Sequence, residues 1–168
     1  MQRSASLPSA TEIAAYLAYE PGTGRLTRLK GSGRFAAGAE AGSVDDLGYR
    51  YVGICYRRFA AHRVAWLLAT GNWPDGEIDH INGDPGDNRL ANLRVVDRVT
   101  NMQNRHAAQI NNRSSGLLGV TWNKRARKWQ SQIKVGAKMR YLGVFEEKAA
   151  AAAAYLAAKR SAHAGCTI

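Results

Sequence analysis

The feature that most constrains this chain is a short apolar segment that opens into a polar loop and returns as a second apolar segment. Residues 77–84 begin as a predicted strand and open into a loop rich in Asn, Asp and Gly, which continues through residues 87–89. Residues 93–96, Leu-Arg-Val-Val, are predicted to return as a strand. Asp97 is a residue type that caps helices, so a helix from Arg98 to about Gln109 is expected next. The order strand, loop, strand and helix indicates an α+β unit.

The regions on either side have their own patterns. Residues 11–22 predict a short helix and residues 49–60 a hairpin, and we interpret this front region as a scaffold. A helix that starts at His62 is stopped by Gly71. The tail predicts three strands and an alanine-rich helix: 118–123, 128–135, 139–145 and 149–158.

Positive charge is concentrated at the C-terminal end. The chain holds 24 Lys and Arg against 13 Asp and Glu, a net charge of +11. Residues 107–168 hold 11 basic and 2 acidic residues, which gives this stretch +9. A polyanionic partner is expected. Because the cations alternate with Trp122, Trp129 and Tyr141, a nucleic acid is favoured over a membrane surface.

Two further features limit the class of protein. No run of about 18 apolar residues occurs, so no membrane-spanning helix and no membrane partner are expected. Cys55 and Cys166 lack metal-binding spacing and are expected to be thiols in a reducing cytoplasm.

The loop region carries residues suited to phosphodiester hydrolysis. That reaction needs a carboxylate that binds a hard cation and a neutral histidine that takes a proton from water. Asp79 and His80 supply these groups, with Asn92 at the return of the loop and Asn101 on the following helix. Neighbours on a strand point to opposite faces, so Asp79 and His80 can face one phosphate only if the chain kinks there.

Residues 61–104 resemble the HNH nucleases, in particular the phage and phage-intron homing branch. In that branch an Asp-His pair, a mid-loop Asn and a helix Asn replace the more widespread His-Asn-His. The matching segments are Ile78–Asp84, Asp87–Arg89, Asn92–Arg94 and Asn101–Asn104.

The resemblance implies a ββα-metal fold that hydrolyses DNA and leaves a 5′-phosphate and a 3′-hydroxyl. It implies His80 as general base, Asn92 as the residue that ties the loop and orients His80, and Asp79 and Asn101 as metal ligands. Oxygen ligands favour one magnesium or manganese ion per active site. His106 is a second candidate ligand.

Several alternatives stay open. Asn88 either caps a turn or supports the site. His62 is interpreted as a packed residue at a helix start or a phosphate contact rather than as catalytic. The main alternative function is a non-catalytic phage DNA-binding or regulatory protein that retains the HNH fold, and an RNA-binding protein is a third.

The tail, residues 116–165, resembles the APETALA/ethylene-response-factor type of DNA-binding domain, a three-stranded antiparallel sheet packed on one helix. The resemblance is carried by Gly119-Val120, Lys128-Trp129, Tyr141-Leu142-Gly143 and the alanine-rich helix. It implies that the sheet lies in the major groove, with Ser131, Ile133 and Val135 facing the helix. The expected DNA contacts in the tail are Thr121, Asn123, Lys124, Arg125, Arg127, Gln130, Gln132, Lys134, Lys138 and Tyr141.

Taken together, the patterns predict a metal-dependent endonuclease that binds double-stranded DNA as a monomer and nicks it, with Arg57 and Arg58 as further DNA contacts. Its location is expected to be the cytoplasm, that of the bacterial host if a phage encodes it. Four regions are predicted: a scaffold 1–60, an HNH core 61–109, a linker 110–115 and the DNA-binding domain 116–168.

Overall fold

The structure, a computed structural model, has two compact units. It describes residues 6–31, 33, 35–54, 56–104, 108, 112, 114–163 and 166–167. One unit runs to Asp97, and the other begins at Arg98. Each contains helices and an antiparallel sheet, which confirms the α+β class. Cys55 and His106 lie outside the described residues.

The first unit contains two α-helices, seven short strands and one 3-10 turn among its described residues. They are α1 Ala10–Ala14, β1 Leu17–Glu20, β2 Arg25–Arg28, β3 Ser43–Val44, β4 Arg50–Ile54, β5 Arg57–Ala60, α2 Ala61–Thr70, β6 Glu77–His80, the 3-10 turn Leu90–Asn92 and β7 Leu93–Val96. The strands form three antiparallel sheets, β1-β2, β3-β4-β5 and β6-β7. Helix α2 follows β5 directly and ends at Gly71, whose φ of 82° closes the helix in the left-handed conformation.

The buried residues of this unit pack against two faces of helix α2. Val64 and Leu67 are buried in a cluster with residues of α1, β1, β2, β4 and β5. Ala65 is buried against Ile78 of β6 and Leu93 of β7. Burial of a Val, Leu or Ile side chain stabilises a fold by about 1.5–3 kcal/mol. The hairpin β6-β7, where the candidate residues lie, is therefore held against the middle of α2.

The short helix predicted within residues 11–22, ahead of a turn at Glu20-Pro21-Gly22, is wrong beyond Ala14. Ser9 and Glu12 form a reciprocal capping box that starts α1 before Thr11. The chain then enters β1, where Leu17 is buried and pairs with Arg28 of β2. Pairing with a second strand has overridden the local helix pattern.

The second unit contains a three-stranded antiparallel sheet packed on one helix, as predicted, and a short helix ahead of the sheet. Its elements are α3 Arg98–Gln103, β8 Val120–Asn123, β9 Lys128–Val135, β10 Lys138–Phe145 and α4 Lys148–Ala162. Strand β9 is central, and α4 covers the face on which Ser131 and Ile133 are buried. Val135 was expected on that covered face but is 36% exposed, because it ends β9 beside the turn. The helix predicted to about Gln109 is described as far as Gln103.

A glycine sets how closely α4 approaches this sheet. Gly119 has φ +65°, and a Cβ added there would lie 2.0 Å from Cδ2 of Tyr155 on α4. Any larger residue would clash with the Tyr155 ring and strain the backbone as well. Among the described residues, no helix is both long and apolar enough to span a bilayer.

Candidate active site

The hairpin β6-β7 separates Asp79 from His80. In its register Asp79 is opposite Arg94 and His80 is opposite Leu93, and residues directly opposite in an antiparallel pair share a face. Neighbouring residues therefore point to opposite faces, as their adjacency on a strand predicts. Both side chains are buried, at 6% exposure each, and each has its own set of partners.

His80 is oriented by a buried amide. Its Nε2 lies 3.2 Å from Oδ1 of Asn88, which is 3% exposed. The Asn88 Nδ2 donates to the carbonyl of Gly86, which directs its oxygen toward the ring. An amide oxygen only accepts, so the Nε2–H of His80 donates to it. In the neutral ring, the lone pair is then on Nδ1. Asn88 thus contacts both His80 and the Gly86 carbonyl of its own turn.

Two aromatic rings pack beside His80. The His62 ring lies 5.2 Å from it in an edge-to-face arrangement, and the Tyr49 ring lies 6.1 Å away. Burial, helped by the neighbouring His80 and Arg63, lowers the pKa of His62 to about 4. The His62 Nδ1 is buried and has no hydrogen-bond partner among the described residues. His62 is therefore a neutral packing residue near pH 7.

Asp79 is engaged by an arginine. Its Oδ2 accepts from Nε of Arg94 at 2.8 Å and from Nη2 at 2.7 Å. A carboxylate buried this deeply needs such a partner, because removal from water penalises its charged form. In this structure the guanidinium supplies that compensation.

Asn92 ties the polar loop to its own return. Its Oδ1 accepts from the backbone N–H of Asn82 at 3.0 Å, and its Nδ2 donates to the carbonyl of Asp87 at 2.8 Å. The backbone N–H of Ile81 also donates to the Asn92 carbonyl. Arg89 lies 2.6 Å from Asp87 and holds the pKa of that carboxyl at about 2. These bonds span the loop from its first residue to its last.

The N-terminal strands buttress the same loop. The Tyr19 hydroxyl donates to the Asn88 carbonyl at 2.8 Å, and the Leu90 N–H donates to the Pro21 carbonyl. Burial raises the pKa of Tyr19 to about 12, so the hydroxyl keeps its proton. A Cβ added to Gly24 would lie 2.5 Å from the backbone nitrogen of Arg89. The front region is in direct contact with the backbone of the loop that orients His80.

The donor set is suited in type to a hard cation. Asp79 offers a carboxylate, and magnesium commonly takes one or two protein carboxylates and completes its shell with water and phosphate. Within the described ranges, no group of three or more His, Cys, Asp and Glu could hold a metal ion. Asn101 lies on α3, in the second unit. The pairing of Asp79 with Asn101 stays a prediction.

Most of the predicted DNA contacts of the second unit share one sheet face. The face opposite α4 carries Thr121, Asn123, Gln130, Gln132, Lys134 and Tyr141, as the register requires. We call it the open face. Lys124, Arg125 and Arg127 are exposed in the turn between β8 and β9, and Lys138 is exposed at the start of β10.

The two arginines of β5 have partners within the first unit. Nη1 of Arg57 donates to the carbonyl of Ser6 at 2.8 Å. The guanidinium of Arg58 lies 3.9 Å from the centre of the Tyr51 ring. Arg58 is the more exposed of the two and so has more surface available to a phosphate.

The sequence patterns assign no role to Arg94 and Tyr49, nor to Tyr19, which supports the loop. Arg94 belongs to the Asn92–Arg94 segment, and pairing the two predicted strands with His80 opposite Leu93 would have placed it across from Asp79. Tyr49 lies on the N-terminal side of β4, far from the loop in sequence, and no local pattern indicates its contact with His80.

Comparison with known proteins places this hairpin in a recognised domain. A family model described as HNH endonuclease matches residues 59–103, so the chain carries an HNH endonuclease domain. Protein 3.8 of Escherichia phage T7 is 33% identical over 84 residues, which are 49% of this chain and 68% of the relative. The chain belongs to the family of that phage protein. No solved structure matches it.

The match supports a nuclease in general terms. An HNH nuclease domain implies a DNA substrate, and HNH nucleases generally use divalent metals. The name of the phage relative specifies no activity, so the nuclease assignment depends on residues 59–103.

Proposed function

We propose that the protein is a magnesium- or manganese-dependent endonuclease of the phage HNH type, of the homing branch, with His80 as general base. The observation that carries the proposal is the buried His80–Asn88 pair within the matched domain. A histidine with one nitrogen bound to a fixed amide oxygen has its ring orientation and tautomer set before substrate binds.

The proposed chemistry follows from the orientation of His80. Nδ1 takes a proton from the attacking water, while Asn88 retains the bond to Nε2–H and stabilises the imidazolium that forms. Asn92 keeps the loop closed, so that the base stays in place. A divalent cation held by Asp79 and Asn101 would polarise the phosphate and stabilise the leaving 3′ oxygen. The expected products carry a 5′-phosphate and a 3′-hydroxyl.

Binding of double-stranded DNA is assigned to residues 116–168 of the second unit, as a domain of the APETALA/ethylene-response-factor type. Its support is the charge of +9 over residues 107–168 and the cations exposed in the turn beside the open face. Arg58 is a further candidate phosphate contact in the first unit. We propose that the protein acts as a monomer, in the cytoplasm, on one strand at a time.

A non-catalytic DNA-binding protein that retains the HNH fold is the second candidate. The observation in its favour is the ion pair between Asp79 and Arg94, which occupies the carboxylate assigned to the metal. In a nuclease, the cation would either share this carboxylate with Arg94 or displace the guanidinium.

The deciding experiment is incubation of the purified protein with supercoiled plasmid, in magnesium and in EDTA. We expect open-circle DNA in magnesium, ahead of any linear product, because one site addresses one phosphate. EDTA should stop the reaction and leave the protein folded. Retention of the plasmid without cleavage in either magnesium or manganese would favour the non-catalytic candidate. Linear product without an open-circle intermediate would contradict the monomeric nickase.

The cations of the β8–β9 turn should control the salt dependence of DNA binding. We expect Lys124→Ala, Arg125→Ala and Arg127→Gly together to make the slope of log K against log salt shallower by about 2.7, or about 0.9 for each phosphate contact. Glycine is chosen at position 127 because Arg127 has φ 53°, which glycine adopts without strain.

The matched control replaces two exposed cations of the first unit, Arg25→Ala and Lys30→Ala, and should leave the slope nearly unchanged. Binding constants over a salt series, measured by fluorescence anisotropy without divalent metal, provide the test. Equal slopes for the triple variant and the wild type would show that the turn is not part of the DNA interface.

A further inference from the structure

The open face of the second unit carries a row of hydrogen-bonded amides. Nδ2 of Asn123 donates to Oε1 of Gln130 at 2.8 Å, and Nε2 of Gln130 donates to Oε1 of Gln132 at 3.3 Å. Oδ1 of Asn123 accepts from the backbone N–H of Ala126, which fixes the row to the β8–β9 turn. Asn123 and Gln130 thus each donate to the next amide of the row.

Gln132 ends this row. Its Oε1 receives one bond, which leaves a second lone pair, and no described residue accepts from its Nε2. It lies near the middle of β9, opposite Tyr141 of β10, whose side chain is 60% exposed. Gln132 thus presents one acceptor and one donor group side by side, at a position fixed by its neighbours.

This donor and acceptor pair matches one base edge in the major groove. Adenine offers N6–H₂ as donor and N7 as acceptor, and a glutamine amide binds both at once. Guanine offers two acceptors, which arginine or lysine suits better. Among the described strand residues, the register places no arginine on the open face, since Arg140 is opposite Ile133 on the covered side.

The surroundings of Gln132 fit the thymine partner and the groove. Met139, Tyr141 and Val144 on β10 are exposed apolar or aromatic side chains on the same face, suited to contact a thymine methyl group. Strands β9 and β10 have eight residues each and are neighbours in the three-stranded sheet, and DNA-binding proteins that read with β-sheets place such strands in a groove. The cations beside the face are complementary in charge to the DNA backbone.

We propose that Gln132 reads adenine in the major groove and that Asn123 and Gln130 are positioning residues that hold its amide. The inference rests on the proposed DNA binding by this unit and adds its specificity. The DNA target contains an A·T pair at the position that faces Gln132, and the Gln132 amide binds its adenine. A correct bidentate contact distinguishes its base by about 5- to 140-fold in affinity, the equivalent of 1–3 kcal/mol.

The test is a selection with the full chain in EDTA, so that the DNA is bound without being cut. The probe is a pool of duplexes with a randomised central segment, and the bound fraction is sequenced. We expect adenine to be enriched at one or more positions. Gln132→Ala should lose the enrichment at one position, and Gln132→Arg should change it there from adenine to guanine. Gln130→Ala should weaken the same enrichment without changing the slope of affinity against salt.

The matched control is Asn72→Ala, an exposed amide of the first unit, which should keep the wild-type preference. Duplex binding without base enrichment, or enrichment that Gln132→Arg leaves unchanged, would overturn the inference while DNA binding stands. Stronger retention of single-stranded DNA or RNA would overturn it too. Failure of the wild type to bind any duplex would overturn the DNA-binding assignment itself, so the two failures are distinguishable.

Discussion

Replacement of His80 with alanine is expected to lower the rate of plasmid cleavage by at least about 100-fold, the contribution typical of a positioned general base. The base acts on water, whereas affinity comes mainly from phosphate contacts elsewhere, so DNA binding should stay within a few-fold of wild type. Cleavage rates in magnesium and binding constants in EDTA provide the two measurements.

A second variant separates chemistry from folding. His80 is 6% exposed, and its removal leaves Oδ1 of Asn88 without that partner. His80→Gln provides an amide N–H that can donate to Asn88 but has no titratable nitrogen, so it should fold and still fail to cut. His163→Ala, in the other unit, is the control and should cut at the wild-type rate. Near-normal nicking by folded His80→Gln, in a preparation free of host nucleases, would rule out His80 as the base.

The second large effect expected is loss of stability in mild acid, caused by His62. Its pKa is about 4 in the folded protein and about 6.5 in an unfolded chain. Between these values the unfolded chain binds a proton that the folded protein does not. Stability therefore falls as pH decreases from about 6.5 to about 4, by about 3 kcal/mol at most.

His62→Phe keeps an aromatic ring at this position and removes the titrating nitrogen, so its stability should depend less on pH over this window. The free energy of unfolding in urea is to be measured for both proteins at a series of pH values. The Trp122→Phe, Trp129→Phe background suits this measurement, because Trp66 and Trp73 then report on the first unit alone. The Asp87 carboxyl, with a pKa near 2, titrates below the window and affects both proteins equally. Parallel pH profiles for the two proteins would contradict the assignment.

The local sequence pattern was sufficient to predict those strands that are bounded by turns. Strand β9 has the predicted bounds, and the alternation along it correctly assigned Ser131 and Ile133 to the covered face. The hairpin β6-β7 was predicted with Asp79 and His80 on opposite faces, because strand period fixes that relation. Short-range chemistry determines all of these features.

Contacts between distant parts of the chain could not be predicted in this way. Tyr19 bonds to Asn88 across 69 positions, and nothing in the Tyr19 segment marks it as part of a loop support. The same limit explains the error beyond Ala14, where a helical pattern gives way to strand β1, Leu17–Glu20, because β2 was available as a partner. The role of Arg94 could be predicted only in part. The hairpin register places it opposite Asp79, but the register does not determine the geometry of the ion pair.

The close approach of Gly24 to the loop backbone determines how long a segment must be transferred if the HNH domain is to be moved into another protein. The stretch that matches the HNH family starts at residue 59, yet the backbone of residues 88–90 is in contact with residues 19–24. A chimera that transplanted residues 59–103 alone would contain His80, the proposed base, and Asn88, but would lack the Tyr19 hydroxyl that supports Asn88. A transfer of the HNH domain between proteins of this family should therefore include strands β1 and β2, with glycine kept at position 24.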